Sequence, residues 1–251
     1  MGELNGKVAL VTGASRDIGQ AIALRLAAES ASVYLAADAT EFELEETALA
    51  CRKAGASEAV WGVHDLAQPD EAGAMVAAAH RRMGRIDILV NNAGLRSRKA
   101  FGNFSQEDFD RLVAVNLRAP FFASQAVVPI MRALGGGHVI HIASQLGIVA
   151  SRYGAIYSLT KAGLIQLTRS MALELSADGI RVNAVCPGPI STAGFVAGRN
   201  PGELEQRARD VPIGRFGTVE EVAGAVAFLV SKDAAYVIGH ALVMDGGYII
   251  H

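Results

Sequence analysis

Only two cysteines, Cys51 and Cys186, occur in 251 residues. That is too few for a disulfide framework and fits a reducing, cytoplasmic compartment. Neither sign of charge is in excess: 23 basic and 25 acidic residues leave a formal net charge of −2. This balance offers no electrostatic case for nucleic acid or an anionic membrane as partner. No run approaches the ~18 uncharged apolar residues of a bilayer-spanning helix. The opening MGELNGKVAL carries Glu3 and Lys7 ahead of a strand pattern, unlike a signal peptide. The six histidines show no metal-ligand cluster. His138 and His141, three apart on a strand, face opposite sides, so metal-dependent chemistry is not expected.

What is present is apolar character, 51% of residues, and 27 glycines set at the ends of apolar runs. Such a chain buries a large core and is not disordered. Strand patterns at Lys7–Thr12, Val33–Ala36, Ala59–Val63, Ile86–Val90, His138–Ile142 and Ile180–Val185 alternate with helical ones. The helical patterns cover Ile18–Glu29, Glu41–Ala54, Asp70–Met83, Gln106–Leu134 and Tyr153–Ser176. The alternation predicts right-handed crossovers between parallel strands, with helices on both faces. Cys186–Val211 lacks a clear period; a helix at Val219–Val230 and a strand near Ala241–Met244 close the chain. The expectation is an α/β fold: one doubly wound, Rossmann-type domain over 1–251, with about seven strands in the order 3-2-1-4-5-6-7. Its irregular segment 193–211 is expected to be a substrate lid. Ligands in such sheets bind outside the carboxyl ends of the strands.

Every chemical motif falls at such an end. Thr12-Gly13-Ala14-Ser15-Arg16-Asp17-Ile18-Gly19 links the first strand to the first helix, where backbone N–H groups can face a pyrophosphate. The segment resembles the TGxxxGxG fingerprint of short-chain dehydrogenases/reductases, and the resemblance extends over essentially the whole chain. Asp17 departs from it, standing at the family's middle glycine. Asp tolerates left-handed backbone; its carboxylate either approaches the diphosphate or points to solvent, and the solvent reading is preferred. The resemblance implies a nicotinamide cofactor held by Gly13, Ser15, Arg16, Asp17 and Ile18 at the turn. Asp38 would lie at the adenosine ribose, and Asp65 and Leu66 at the adenine. Asn92, Ala93 and Gly94 belong to an NNAG motif. Pro187, Gly188, Ile190 and Thr192 would lie at the nicotinamide, the Ile190 backbone and Thr192 side chain holding its carboxamide. Asp38 favours NAD by accepting from a ribose hydroxyl, although it sits one place after the family's usual acid. Arg16 pulls toward NADP, which stays the alternative.

Tyr157 and Lys161, four apart on a helical stretch, share one face. Five tyrosines and five lysines give about 0.1 accidental YxxxK matches, and Tyr157 begins the single one. A nearby ammonium is expected to lower the phenol pKa so that Tyr157 exchanges a proton near neutral pH. Ser144 follows the fifth strand and can stabilise charge on a substrate oxygen. Asn116, within VAVNLRAPFF, matches the family's fourth catalytic position; a helix bend near Pro120 is the plainer reading. The resemblance implies proton-coupled hydride transfer between nicotinamide and a secondary alcohol or ketone, with Lys161 also holding the nicotinamide ribose.

Arg96-Ser97-Arg98-Lys99 reads either as a solvated loop or as an attractor of an anionic substrate. Here NNAGLRSRKAF resembles gluconate and related sugar-acid dehydrogenases, with Arg98 and Lys99 the matching residues. Arg96, Arg98 and Gln145 are the candidate substrate contacts, and a sugar acid or polyol is the expected small-molecule substrate. A 3-oxoacyl thioester reductase is one alternative; a non-catalytic NAD(H) sensor or scaffold is another. Tyr153–Ser176 and Leu112–Leu134 are apolar on more than one face, which predicts a homo-oligomer; the resemblance implies a tetramer.

Overall fold

The computed structural model describes residues 2–197 and 199–250; Met1, Gly198 within the expected lid, and His251 lie outside the described residues. Seven parallel strands form one sheet: β1 Val8–Thr12, β2 Ser32–Ala37, β3 Ala59–Val63, β4 Ile88–Asn91, β5 Gly137–Ile142, β6 Ile180–Pro187 and β7 Ala241–Met244. Their order is β3-β2-β1-β4-β5-β6-β7, as the sequence predicts. Side chains alternate across the central strands. Ala9 and Val11 enter a core with α1 Asp17–Ala28 and α2 Glu41–Ala54, while Leu10 and Leu89 enter the opposite one with α3 Glu71–Met83.

Helix starts are set locally. Thr40 and Glu43 form a reciprocal capping box at the start of α2, and Ser105 and Asp108 form another at α4 Gln106–Val113. The expected helix from Gln106 to Leu134 runs on as α5 Ala119–Ala133, but Ala114–Arg118 between them is a π-helical turn. Gln106–Ala133 is long and apolar enough to cross a membrane by length and composition, and half of its most apolar window is buried within this fold. Helix α6 spans Ala155–Leu175 and starts two residues later than expected, because Tyr153 holds a left-handed φ of 67°.

The segment expected to be irregular contains two helices, α7 Ala193–Val196 and α8 Pro201–Arg209. Thr192 and Asn200 cap them, and α8 is too rich in charged and polar residues to show an apolar stripe. Helix α9 Val219–Val230 opens with the capping box Thr218–Glu221 and packs on α1.

Candidate active site

A cleft of about 1160 Å³ runs along the carboxyl ends of the strands. It is lined by every candidate cofactor and catalytic residue except Asn116, and also by Arg96, Arg98 and Gln145. Asn116 is wholly buried beneath it.

At one end, the turn after β1 is held by a residue that sequence reasoning passed over. Thr12 Oγ1 accepts from the N–H groups of Asn92 and Ala93, both at 2.9 Å, and donates to the Val90 carbonyl at 3.3 Å. Asn92 Nδ2 donates to the carbonyls of Thr12 at 2.8 Å and Gly13 at 3.2 Å. The Asn92 side chain therefore clamps two loops together. Gly13 has a left-handed φ of 64°, and a Cβ on Gly19 would overlap the Gly13 carbonyl. The turn is thus built for close backbone approach.

Helix α1 starts here at Asp17, and Arg16 before it supplies no side-chain cap, in contrast to the residues that precede α2, α4 and α9. Its first N–H groups and positive dipole end suit a diphosphate. Asp38 and Arg16 are both exposed on the adjoining wall. The Asp65 carboxylate is engaged locally by Ala67 N–H and Gln68 Nε2, both at 2.9 Å, and these bonds hold it below the usual carboxylate range.

Asp17 does not point to solvent, as preferred from sequence. At φ 49° its Oδ1 accepts from the Ala193 N–H at 3.0 Å, fastening the turn to the start of α7. Thr192 Oγ1 accepts from Phe195 N–H at 3.1 Å, so its hydroxyl proton stays available to a ligand. Ile190 pairs with Gly217, and Gly188 N–H donates to the Met244 carbonyl at 3.0 Å.

At the other end stand Ser144, Tyr157 and Lys161. Ser144 is buried just after β5; its Oγ accepts from Leu146 N–H at 3.1 Å, and its hydroxyl favours the ionised form of the Tyr157 phenol. Lys161 is 4% exposed, donates Nζ–H to the Ile142 carbonyl at 2.7 Å, and lies 5.7 Å from the centre of the Tyr157 ring. Burial pulls its ammonium down to about 8, against the opposing effect of Cys186.

The expected lowering of Tyr157 by Lys161 is not what this geometry produces. Burial dominates and pushes the phenol above its ordinary value; Ser144 and Arg96 oppose it. Spacing on a helix placed the two side chains together, but it did not disclose how much water the hydroxyl loses. Beneath them the π turn carries Asn116 inward. Its Oδ1 accepts from Leu95 N–H at 2.7 Å, while Nδ2 donates to the Leu95 carbonyl at 2.9 Å and to Thr160 Oγ1 at 3.1 Å. A π turn aimed at a polar cluster is a common mark of a functional site.

Gln145 is buried beside Ser144, and its Oε1 has no hydrogen-bond partner among the described residues. Phe195, Arg199 and Arg207 also line the cleft, and sequence reasoning assigned them nothing.

A family model described as enoyl-(acyl carrier protein) reductase matches residues 13–249. The 2-(R)-hydroxypropyl-CoM dehydrogenase of Xanthobacter autotrophicus is 40% identical over 246 residues, covering 96% of this chain and 98% of its own. Galactitol 2-dehydrogenase of Agrobacterium fabrum is 38% identical (97% and 98% covered). The 3-oxoacyl-[acyl-carrier-protein] reductase of Thermotoga maritima is 36% identical (98% and 99% covered). Among solved structures, a protein of Agrobacterium tumefaciens with bound NADP, provisionally named 2-deoxy-D-gluconate 3-dehydrogenase, superposes with a TM-score of 0.90. It is 38% identical, and the match covers 99% of this chain and 98% of that one. A blue fluorescent protein from a metagenomic library, in complex with NADPH, gives 0.91 at 36% identity, covering 98% and 99%.

Proposed function

The chain belongs to the short-chain dehydrogenase/reductase family, and on that premise we propose that it interconverts a secondary alcohol and its ketone with Tyr157 as the proton-transferring group. The observation that carries this reading is that Ser144, Tyr157 and Lys161 line one end of the cleft together, with the Lys161 ammonium 5.7 Å from the centre of the Tyr157 ring.

Tyr157 O–H donates to the substrate oxygen in reduction and removes its proton in oxidation. Ser144 Oγ–H stabilises charge on the same oxygen. Lys161, anchored on Ile142, supplies positive charge beneath the phenol and a donor for a ribose hydroxyl. Asn116 fixes the Leu95 loop against Thr160, whose hydroxyl donates to the Tyr157 carbonyl at 2.8 Å. It thereby positions the helix that carries the acid, and it sits where a proton path from Lys161 can begin. A bound nicotinamide supplies the hydride acceptor or donor.

The residues present fit that cofactor, because the uncapped start of α1 and the Gly13–Gly19 turn leave backbone N–H groups open to a diphosphate. Gly13, Ser15, Arg16 and Ile18 would hold this part, and Asp65 and Leu66 the adenine. Ala93, Gly94, Pro187, Gly188, Ile190 and Thr192 would hold the nicotinamide half. Asp38, exposed and without a hydrogen bond among the described residues, supports NAD as the preferred form. NADP and NADPH in the solved relatives lend that preference no support. The ratio of kcat/KM with the two cofactors decides it.

The likeness to galactitol 2-dehydrogenase and to the NADP-bound Agrobacterium structure supports a sugar acid or polyol as substrate, contacted by Gln145, Arg96 and Arg98. The Thermotoga relative supports a second reading, reduction of a 3-oxoacyl thioester. Phe195, Arg199 and Arg207 on the wall of the cleft support a substrate-lid role for segment 193–211. Phe121, Phe122, Leu159 and Leu173 are exposed on α5 and α6, which supports a homotetramer. Two free, buried cysteines support a cytoplasmic setting. The test of the central claim is Tyr157→Phe, which lowers kcat by about 10²–10⁴ and leaves cofactor affinity unchanged. Turnover at the wild-type rate would overturn it.

A further inference from the structure

Six arginines line the cleft, and four of them, Arg96, Arg98, Arg199 and Arg207, face it from the two segments at its substrate end. Arg96 and Arg98 come from the loop after β4, Arg199 follows α7, and Arg207 lies on α8. None of the four forms an ion pair among the described residues, although other arginines do, such as Arg85 with Asp87 and Arg209 with Glu205. The acidic lining group on the same segment is Asp210, at the end of α8.

Two of the four are positioned by aromatic rings. Arg96 lies 5.7 Å from the centre of the Tyr157 ring, beside the reacting group. Arg199 stacks over Phe195 at 4.5 Å, and Phe195 packs edge-on against Phe216 at 4.9 Å. Stacking of this kind orients a guanidinium while its N–H edge stays free for a ligand. The charges also act on one another. Lost hydration holds Arg96 below the usual arginine range, and Arg98, Arg199 and Arg207 add to the effect against an opposing pull from Tyr157. Like charges gathered without an ion-pair partner among the described residues call for an anion, and the planar guanidinium fork matches an oxyanion.

We propose that these four arginines form a two-walled cradle for an oxyanion carried by the substrate, with Arg199 and Arg207 as the residues that select acids over neutral polyols. The proposal rests on the alcohol/ketone reading above and narrows it to hydroxy acids or keto acids, the acid being a carboxylate, sulfonate or phosphate.

Three matched pairs separate the anion types: gluconate with sorbitol, 2-hydroxypropane-1-sulfonate with propan-2-ol, and glycerol 1-phosphate with glycerol. In at least one pair the acid is used at least tenfold more efficiently than its neutral partner. Arg199→Gln and Arg207→Gln each narrow that ratio at least fivefold, through KM for the acid rather than kcat. Arg199→Lys, which keeps the charge without the fork, falls between. Titration calorimetry of the three acids into the cofactor-loaded enzyme reads binding apart from turnover. Acids that bind without turnover keep the cradle and overturn the alcohol reading. Neutral partners used as well as the acids keep the alcohol reading and overturn the cradle. Acids that neither bind nor react, or an acid KM indifferent to both glutamine variants, also overturn the cradle.

Discussion

Asp17 Oδ1 accepts a hydrogen bond from the Ala193 N–H at 3.0 Å, joining residues 176 apart in the chain. Asp17 lies on the Gly-rich turn after β1, which would face a cofactor diphosphate, and Ala193 opens α7, which carries Phe195. One side chain thus ties the turn after β1 to the start of α7. A carboxylate here also brings negative charge close to where a diphosphate would sit. The contact gives that carboxylate a structural use instead.

The two consequences of Asp17 can be separated by substitution. Asp17→Asn keeps a side-chain oxygen for Ala193 but removes the charge. It is expected to tighten cofactor binding about 2–5-fold, on the scale of one screened charge at a distance of several ångströms. The 193–211 segment then keeps its wild-type resistance to limited proteolysis. Asp17→Gly also tightens the cofactor, relieves the left-handed strain, and frees Ala193, so cleavage within 193–211 accelerates. Equal proteolysis of the glycine variant and the wild type would show that the contact does not hold the segment.

Thr12 governs the joint between β1 and the β4 loop. Thr12→Ala leaves the N–H groups of Asn92 and Ala93 without their shared acceptor. The expected loss is about 2–4 kcal/mol of stability, from two donors that lose their partner, together with weaker cofactor binding. Thr12→Ser keeps the hydroxyl and is expected to lie within about 1 kcal/mol of wild type. Urea unfolding of the pair is the measurement, and an alanine variant as stable as the serine one would contradict the role.

How much of this could be read in advance follows from the range of each interaction. The strands themselves and the Tyr157–Lys161 face were legible because they rest on local period and spacing: apolar runs at Val8–Thr12 and Ile88–Asn91, and a four-residue separation on α6; the strand order came with the family resemblance. The Thr12 knot and the Asp17–Ala193 contact were not, since both join segments about eighty or more residues apart through single atoms. The π turn was hidden because VAVNLRAPFF keeps a helical apolar pattern, and the extra residue shows only once Asn116 must reach Leu95 and Thr160. Arg199 and Arg207 lie in a stretch where charge and glycine erase any period, so neither the helix that carries Arg207 nor the place of both on the wall of the Arg96 cleft was visible.

Burial of Lys161 makes a prediction about pH that concerns stability rather than rate. In the folded chain its ammonium is pulled down to about 8, below the ordinary 10.5 of an unfolded lysine. Between these values the unfolded chain holds the extra proton, so the lysine's contribution to stability rises with pH across this window. Below pH 8 the folded state carries a buried charge at a cost of about 3 kcal/mol, the shift expressed as free energy, partly offset by the bond to Ile142. Lys161→Met abolishes the titration. The stability of wild type relative to this variant is therefore expected to increase from pH 7.5 to pH 10.5 by up to about 3 kcal/mol. Comparing the two proteins cancels Tyr157, whose raised value acts in the opposite direction above pH 10. Urea unfolding at half-unit pH steps measures the difference, and a curve flat across the window would mean that Lys161 stays hydrated in the folded protein.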